Sequence, residues 1–221
     1  MKAMDKSIKG YSAPEGSTAI SGVRRLLRDG THAEHVRLNQ HGLLRGITRP
    51  GYPLSMYQRV LAAYYHFYGA IEAAIDRSLD EQGVAFSYEP RRKLQWIKDD
   101  LSYFEINPEE EVHQPNSPIA LPDSFNTGQL VGVLYTIEGS SLGGQVISQH
   151  LETHMGLTPE KGARFFYGYG GRIPEFWRQF QEFMDDTLTR EEMKNDATNT
   201  AKSTFVMMES ILDDYLDRHA N

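Results

Sequence analysis

The chain contains no cysteine. That removes disulfide frameworks, thiolate metal sites and Cys nucleophiles at one stroke, and it fits a reducing compartment. Basic residues are also in short supply, with 23 Lys and Arg against 30 Asp and Glu and a net charge of -7. General nucleic-acid binding and a polybasic membrane anchor are therefore not expected. No stretch approaches the roughly 18 consecutive apolar residues of a membrane span. Met1-Lys2-Ala3-Met4-Asp5-Lys6 lacks the apolar core of a secretory signal. The simplest expectation is a cytoplasmic protein. Alternating strand patterns, repeats and low-complexity tracts are missing as well. What remains is helical periodicity over a length suited to one domain, so the expected fold is a single all-α domain at 16–221 behind a loose polar tail at 1–15.

The helices follow from spacing and breakers. A first helical region is expected from Ser17 to His41, ended by Gly42. A second runs from Ser55 to Gln82, with Val60, Tyr64, Phe67, Ile71 and Ala74 on one face. A third spans Arg91 to Phe104, with Leu94, Ile97 and Leu101 turned inward. The acidic, proline-rich segment from Pro108 to Pro122 reads as a loop. Asp123 is placed to cap a long apolar helix from Ser124 to Met155, which Gly156 closes. Glu160 to Phe166 reads as a short helix. Pro174 suits the first turn of the next, and Thr189 with Glu192 opens the last, which runs to Arg218.

The long apolar helix carries an anomaly, Glu138-Gly139-Ser140-Ser141-Leu142-Gly143-Gly144. Three glycines fall within six residues, and each costs a helix about 1 kcal/mol relative to Ala. A helix that keeps them needs a bend, or needs its bare backbone against something flat and large. Spacing leaves two readings open, close helix–helix contact and ligand approach. Helical phase also sorts the eight histidines. At about 100° per residue, Ile20, Val23, Leu27, Thr31 and Leu38 form one stripe of the first helix; His35 lies roughly 60° from its centre and His32 roughly 120° away. Taken alone, His35 at the edge of a buried face describes a packed structural residue.

In company, these residues resemble a known family. Leu27-Arg28-Asp29-Gly30-Thr31-His32-Ala33-Glu34-His35 is similar to the first-helix motif of heme oxygenases, which has a basic residue seven positions before the proximal histidine and Thr four before it. Tyr65-His66-Phe67-Tyr68-Gly69-Ala70-Ile71-Glu72 resembles that family's second helix. The glycine segment resembles the distal helix of bacterial members, especially those supplying bilin to bacterial phytochromes. Phe165-Phe166 and Ala201-Lys202-Ser203-Thr204-Phe205 match further on. The resemblance covers Val23 to Leu216.

What the resemblance implies is a helical fold with heme between a proximal and a kinked distal helix. It implies oxidative cleavage of heme to biliverdin, carbon monoxide and ferrous iron by O2. Heme would be both substrate and cofactor, its iron ligated by His35. Gly139, Ser140 and Gly143 would form the catalytic distal wall. Arg28 would meet a propionate, with Arg178 a weaker candidate, because the family's basic pair falls here on Trp177 and Gln181. Phe166 and Phe205 would complete the pocket. Many members carry Asp where this chain has Ser140, and a hydroxyl holds water without acting as a carboxylate. Electrons would come from a ferredoxin or reductase, since Gly168-Tyr169-Gly170-Gly171 is not a dinucleotide fingerprint following a strand. A bacterial phytochrome would be a fitting bilin acceptor.

Two rivals belong to other classes. A non-catalytic heme or bilin carrier would keep His35 and the pocket. An enzyme of similar architecture acting on thiamin-like compounds would need the missing cysteine. A carboxylate-bridged di-iron bundle requires two Glu-x-x-His pairs on facing helices, and only Glu110 with His113 fits, in the expected loop.

Overall fold

A computed structural model describes residues 22–110, 115, 119 and 121–217. The expected tail, the start of the first helix before Gly22 and His113 lie outside the described residues. Among those described there are eight α-helices, two 3-10 turns and no strand. The helices are α1 (Gly22–Gly30), α2 (His32–Asn39), α3 (Leu54–Gln82), α4 (Leu94–Tyr103), α5 (Thr127–Met155), α6 (Arg164–Tyr167), α7 (Ile173–Thr187) and α8 (Glu191–Asp217). No described helix is long and apolar enough to cross a membrane.

The expected first helix is divided at Thr31, whose hydroxyl donates to the Leu27 carbonyl at 2.8 Å. It ends at Asn39, before Gly42. The α3 stripe is buried as its spacing demands, from Val60 through Tyr64, Phe67 and Ile71 to Ala74. The long apolar helix begins three residues later than expected, and its cap is Asn126 rather than Asp123. Asn126 accepts from the Gln129 backbone N–H at 2.9 Å, and the Gln129 side chain accepts from the Asn126 N–H at 3.0 Å. This reciprocal box satisfies two donors that a lone Asp would have left to one acceptor. Gly156, with φ +68°, closes the helix in the left-handed conformation that glycine adopts without strain. The short helix before the aromatic loop is α6, capped by Asp100. That carboxylate accepts from the Arg164 and Phe165 N–H groups at 2.7 and 2.8 Å, and burial pushes its pKa up to about 6.

The core is built on α5 against α8. The two helices run in the same direction and in register, because Gly128 meets Met193, Gly132 meets Ala197, and the Thr136 hydroxyl reaches the Ala201 carbonyl at 3.4 Å. Small residues on both sides permit this approach. A Cβ at Gly132 would run into the Ala197 carbonyl, which is backbone and has nowhere to go. Gly132→Ala should therefore destabilise the protein by about 1–3 kcal/mol, the usual range for overpacking, despite the better helix propensity of Ala. Thermal unfolding followed by circular dichroism checks this. An unchanged or raised midpoint would mean the α5–α8 contact is looser than drawn.

Along its other flank α8 carries α1 and α2, again in parallel. Gly30 packs on Thr198, Arg37 pairs with Glu209 at 2.7 Å, and His41 meets Asp213 at 3.0 Å. Three helices, α2, α5 and α8, thus share one direction and one register. That arrangement positions the site.

Candidate functional site

At the level of Thr31 the first-helix segment and α5 touch, where the Tyr135 hydroxyl lies beside the Thr31 side chain. Ala201 and Thr136 meet at the corresponding level of α8 and α5. One helical turn further along each chain, about 6 Å, stand His35, Gly139 with Ser140, and Phe205. His35 and Phe205 are in edge-to-face contact, with ring centroids 5.9 Å apart and planes at 72°. The common register of the three helices therefore brings the expected proximal histidine and the expected distal glycines to one level.

The glycines divide cleanly by what surrounds them. A Cβ at Gly128, Gly132 or Gly144 would strike backbone, in the last case the Phe166 carbonyl at 2.9 Å. At Gly139 and Gly143 a Cβ would meet nothing within 4 Å among the described residues. Close packing thus explains Gly144 and leaves Gly139 and Gly143 unexplained by it. Those two lie four residues apart on one face, next to exposed Ser140, whose hydroxyl is turned back on the Ile137 carbonyl at 2.7 Å. The helix passes through this segment without a break. A side-chain-free helical face in open space is a wall on which a flat molecule can lie.

His35 is suited to hold a metal from the other side. His35 is exposed as a residue, but partial desolvation of its ring, reinforced by the neighbouring His32, lowers its pKa, which favours the neutral imidazole at neutral pH. Its Nε2 lies 3.4 Å from the Asn39 amide nitrogen one turn on. Around the pocket, Phe205 is buried against His35. Phe166 sits deeper, in an aromatic cluster with Tyr57, Tyr64 and Phe165, and its backbone supports the glycine helix at Gly144.

Charged candidates are placed unequally. The Arg28 side chain is half exposed and bonded to Asp29 at 2.8 Å. Arg178 is turned along its own helix to Glu182 at 2.5 Å, with both side chains exposed. On the same α1–α7 edge, Arg24 lies 5.7 Å from the Trp177 ring centre, and the buried Trp177 Nε1 has no hydrogen-bond partner among the described residues. An orphan indole N–H with the Arg24 guanidinium against its ring is a donor pair that suits a carboxylate. Two further buried hydroxyls, Tyr68 Oη and Ser141 Oγ, make no hydrogen bond of good geometry among the described residues, and Tyr68 lies beside the Ser140 side chain. The donor pair, the open backbone face and the aromatic flank all fit a flat group that carries carboxylates, as heme does. None of Tyr68, Ser141 and Trp177 stood out as a site residue from sequence, since an aromatic or hydroxyl on an apolar face carries no sign of being unpartnered.

Comparison with known proteins gives the family and the fold. The family profile described as heme oxygenase matches residues 21–214. A heme oxygenase of Takifugu rubripes is 27% identical over 192 residues, covering 81% of this chain and 69% of its own. One of Xanthomonas campestris is 26% identical over 158 residues, covering 71% and 88%. Among solved structures, a heme oxygenase of Synechocystis in complex with heme and NO superposes with a TM-score of 0.73 at 18% identity, covering 89% of this chain and 86% of that one.

Proposed function

The chain belongs to the heme oxygenase family, and from that premise we propose how its own residues hold and orient the substrate. Bound heme supplies the iron that activates O2 and the porphyrin ring that is opened to biliverdin, carbon monoxide and ferrous iron. His35 offers a neutral nitrogen to the iron from α2. Gly139 and Gly143 leave the opposite wall to main chain, which excludes bulk solvent without placing an acid or base against the reacting oxygen. Ser140, with Tyr68 and Ser141 behind it, holds water where many relatives place a carboxylate. Arg28 and Phe205 fix the rotation and seat of the ring, and Phe166 supports the wall from below. Arg178 would have to leave Glu182 to contribute. Electrons come from an external ferredoxin or reductase, and the bilin passes to an acceptor such as a phytochrome. Residues 16–221 act as one domain.

The observation that carries this reading is the contrast among the glycines. Three are packed against backbone, and the two expected at the heme face meet only open space. Both curated relatives are oxygenases by name, which favours turnover over carriage. The test is carbon monoxide release from hemin, reductant and air. About one CO per heme consumed is expected, and a heme-binding protein that releases none would be a carrier.

Arg28 offers a second check. Its present partner is an exposed neighbour, and such pairs contribute little, so exchange for a propionate is easy. Arg28→Glu should weaken hemin binding by no more than about fivefold yet lower the yield or broaden the biliverdin isomer mixture, as chromatography of the extracted pigment would record. One unchanged isomer at unchanged yield would leave Arg28 on the solvated surface.

A further inference from the structure

Glu138, the residue immediately before the open glycines, is the one acid in the apolar run of α5 that begins at Leu130. Its side chain is 1% exposed and holds two cations that are each 3% exposed. Oε2 accepts from Arg91 Nη1 at 2.6 Å, and Oε1 accepts from Lys93 Nζ at 3.0 Å and from the Tyr169 hydroxyl at 2.7 Å. None of these partners is on α5. Arg91 is clamped in turn, its guanidinium lying 4.8 Å from the Phe86 ring centre and 4.9 Å from that of Phe176. It also donates to the Phe176 carbonyl and to Gln179. Tyr169 stacks on Phe176 with planes 11° apart. The Lys93 backbone N–H is bonded to Glu72 of α3 at 2.6 Å. One carboxylate thus ties α5 to the segment before α4, to the loop between α6 and α7, and through Lys93 to α3.

We propose that Glu138 is a positioning residue. Its buried ion cluster sets the rotation and height of the α5 turn that carries Gly139 and Gly143, and through them the porphyrin edge at which the ring opens. The inference rests on the function proposed above. Three observations support it. First, a Cβ at Gly139 or Gly143 would meet no described atom within 4 Å, so these two positions contribute no side-chain packing and the wall is held through its neighbours. Second, at about 100° per residue the Glu138 side chain leaves the helix roughly 100° from Gly139 and 140° from Gly143, so the anchor grips from behind while the bare face stays free. Third, buried ion pairs add little net stability over apolar packing of equal volume, whereas their steep distance dependence at low dielectric makes them good at holding register. A cluster used only for cohesion would be better made of leucine.

The test compares the wild type with Tyr169→Phe, Glu138→Gln and the double variant Glu138→Gln/Lys93→Met. Tyr169→Phe removes one hydrogen bond on Glu138 and keeps both charge pairs, so it bears on the claim even if Glu138→Gln does not fold. Soret circular dichroism of the ferric complex reads how the wall lies against the porphyrin, independently of turnover. In the single variants the hemin Kd should change by less than about threefold, while the Soret dichroism changes and turnover falls about tenfold or isomers mix, as misplacement on the ångström scale does. The double variant should recover the melting temperature but not the isomer pattern. Variants that melt earlier while keeping wild-type dichroism, isomer and rate would overturn the proposal and make the cluster merely structural. A wild type that binds hemin and makes no biliverdin would instead refute the function, and the dichroism comparison would still judge the anchor.

Discussion

Replacing His35 with alanine removes the histidine-ligated ferric spectrum and leaves the helical dichroism as it was. Among the described residues the His35 side chain makes no ion pair and no close hydrogen bond. Its one polar contact is a 3.4 Å approach to Asn39, and its ring only edges on Phe205. The expected loss is therefore one of ligation, and turnover should drop below detection. His32→Ala is the control, because His32 lies about one turn before the level at which His35 meets Phe205. Optical titration with hemin separates the two. Retention of the same iron coordination in His35→Ala, with its loss in His32→Ala, would exchange the assignments. Added imidazole should restore part of the ferric spectrum to His35→Ala, since the pocket would then hold space without a nitrogen.

Gly139→Ala and Gly143→Ala are expected to stay folded and bind hemin while losing most of the biliverdin yield. Here the effects on stability and on chemistry have opposite signs. A methyl group at either position meets no protein atom within 4 Å, and Ala is favoured over Gly within a helix by up to about 1 kcal/mol. The melting temperature should hold or rise. The same methyl would project into the space where oxygen must sit, so turnover should fall about tenfold or more, given how steeply reaction depends on placement. Gly132→Ala should behave in reverse, with poor folding and no specific effect on the isomer formed. Full turnover with unchanged product in both Gly139→Ala and Gly143→Ala would remove the distal wall from the account.

Much of the scaffold could be read along the chain, because periodicity and breakers are local. The α3 stripe, Pro174 in the first turn of α7 and Gly156 closing α5 all follow from nearest neighbours in sequence. The cap of α5 did not follow. Asp123 looked sufficient on its own, while Asn126 wins through a reciprocal bond with Gln129 that has to be matched three residues ahead. The glycines show the same limit more sharply. Gly139, Gly143 and Gly144 look alike in the sequence, and only the position of Phe166 on a distant segment sets Gly144 apart. Gly128 and Gly132 drew no notice, because nothing in α5 announces that α8 will lie against it. Arg91 and Lys93 flank Arg92 in a short basic run, and these two of the three turn inward to a carboxylate more than forty positions later. Charge pairing at that separation leaves no local trace. Glu138 itself was the available hint, a single acid in an otherwise apolar stretch.

The most direct measurement is a spectrum of the purified wild-type protein titrated with hemin and then given a reductant in air. The account predicts saturation at one heme per chain with a histidine-ligated ferric Soret band. That band should then decay as the broad red absorption of biliverdin grows in. A stable ferrous or oxygenated spectrum that never yields bilin would contradict it, as would hemin binding that His35→Ala leaves unchanged.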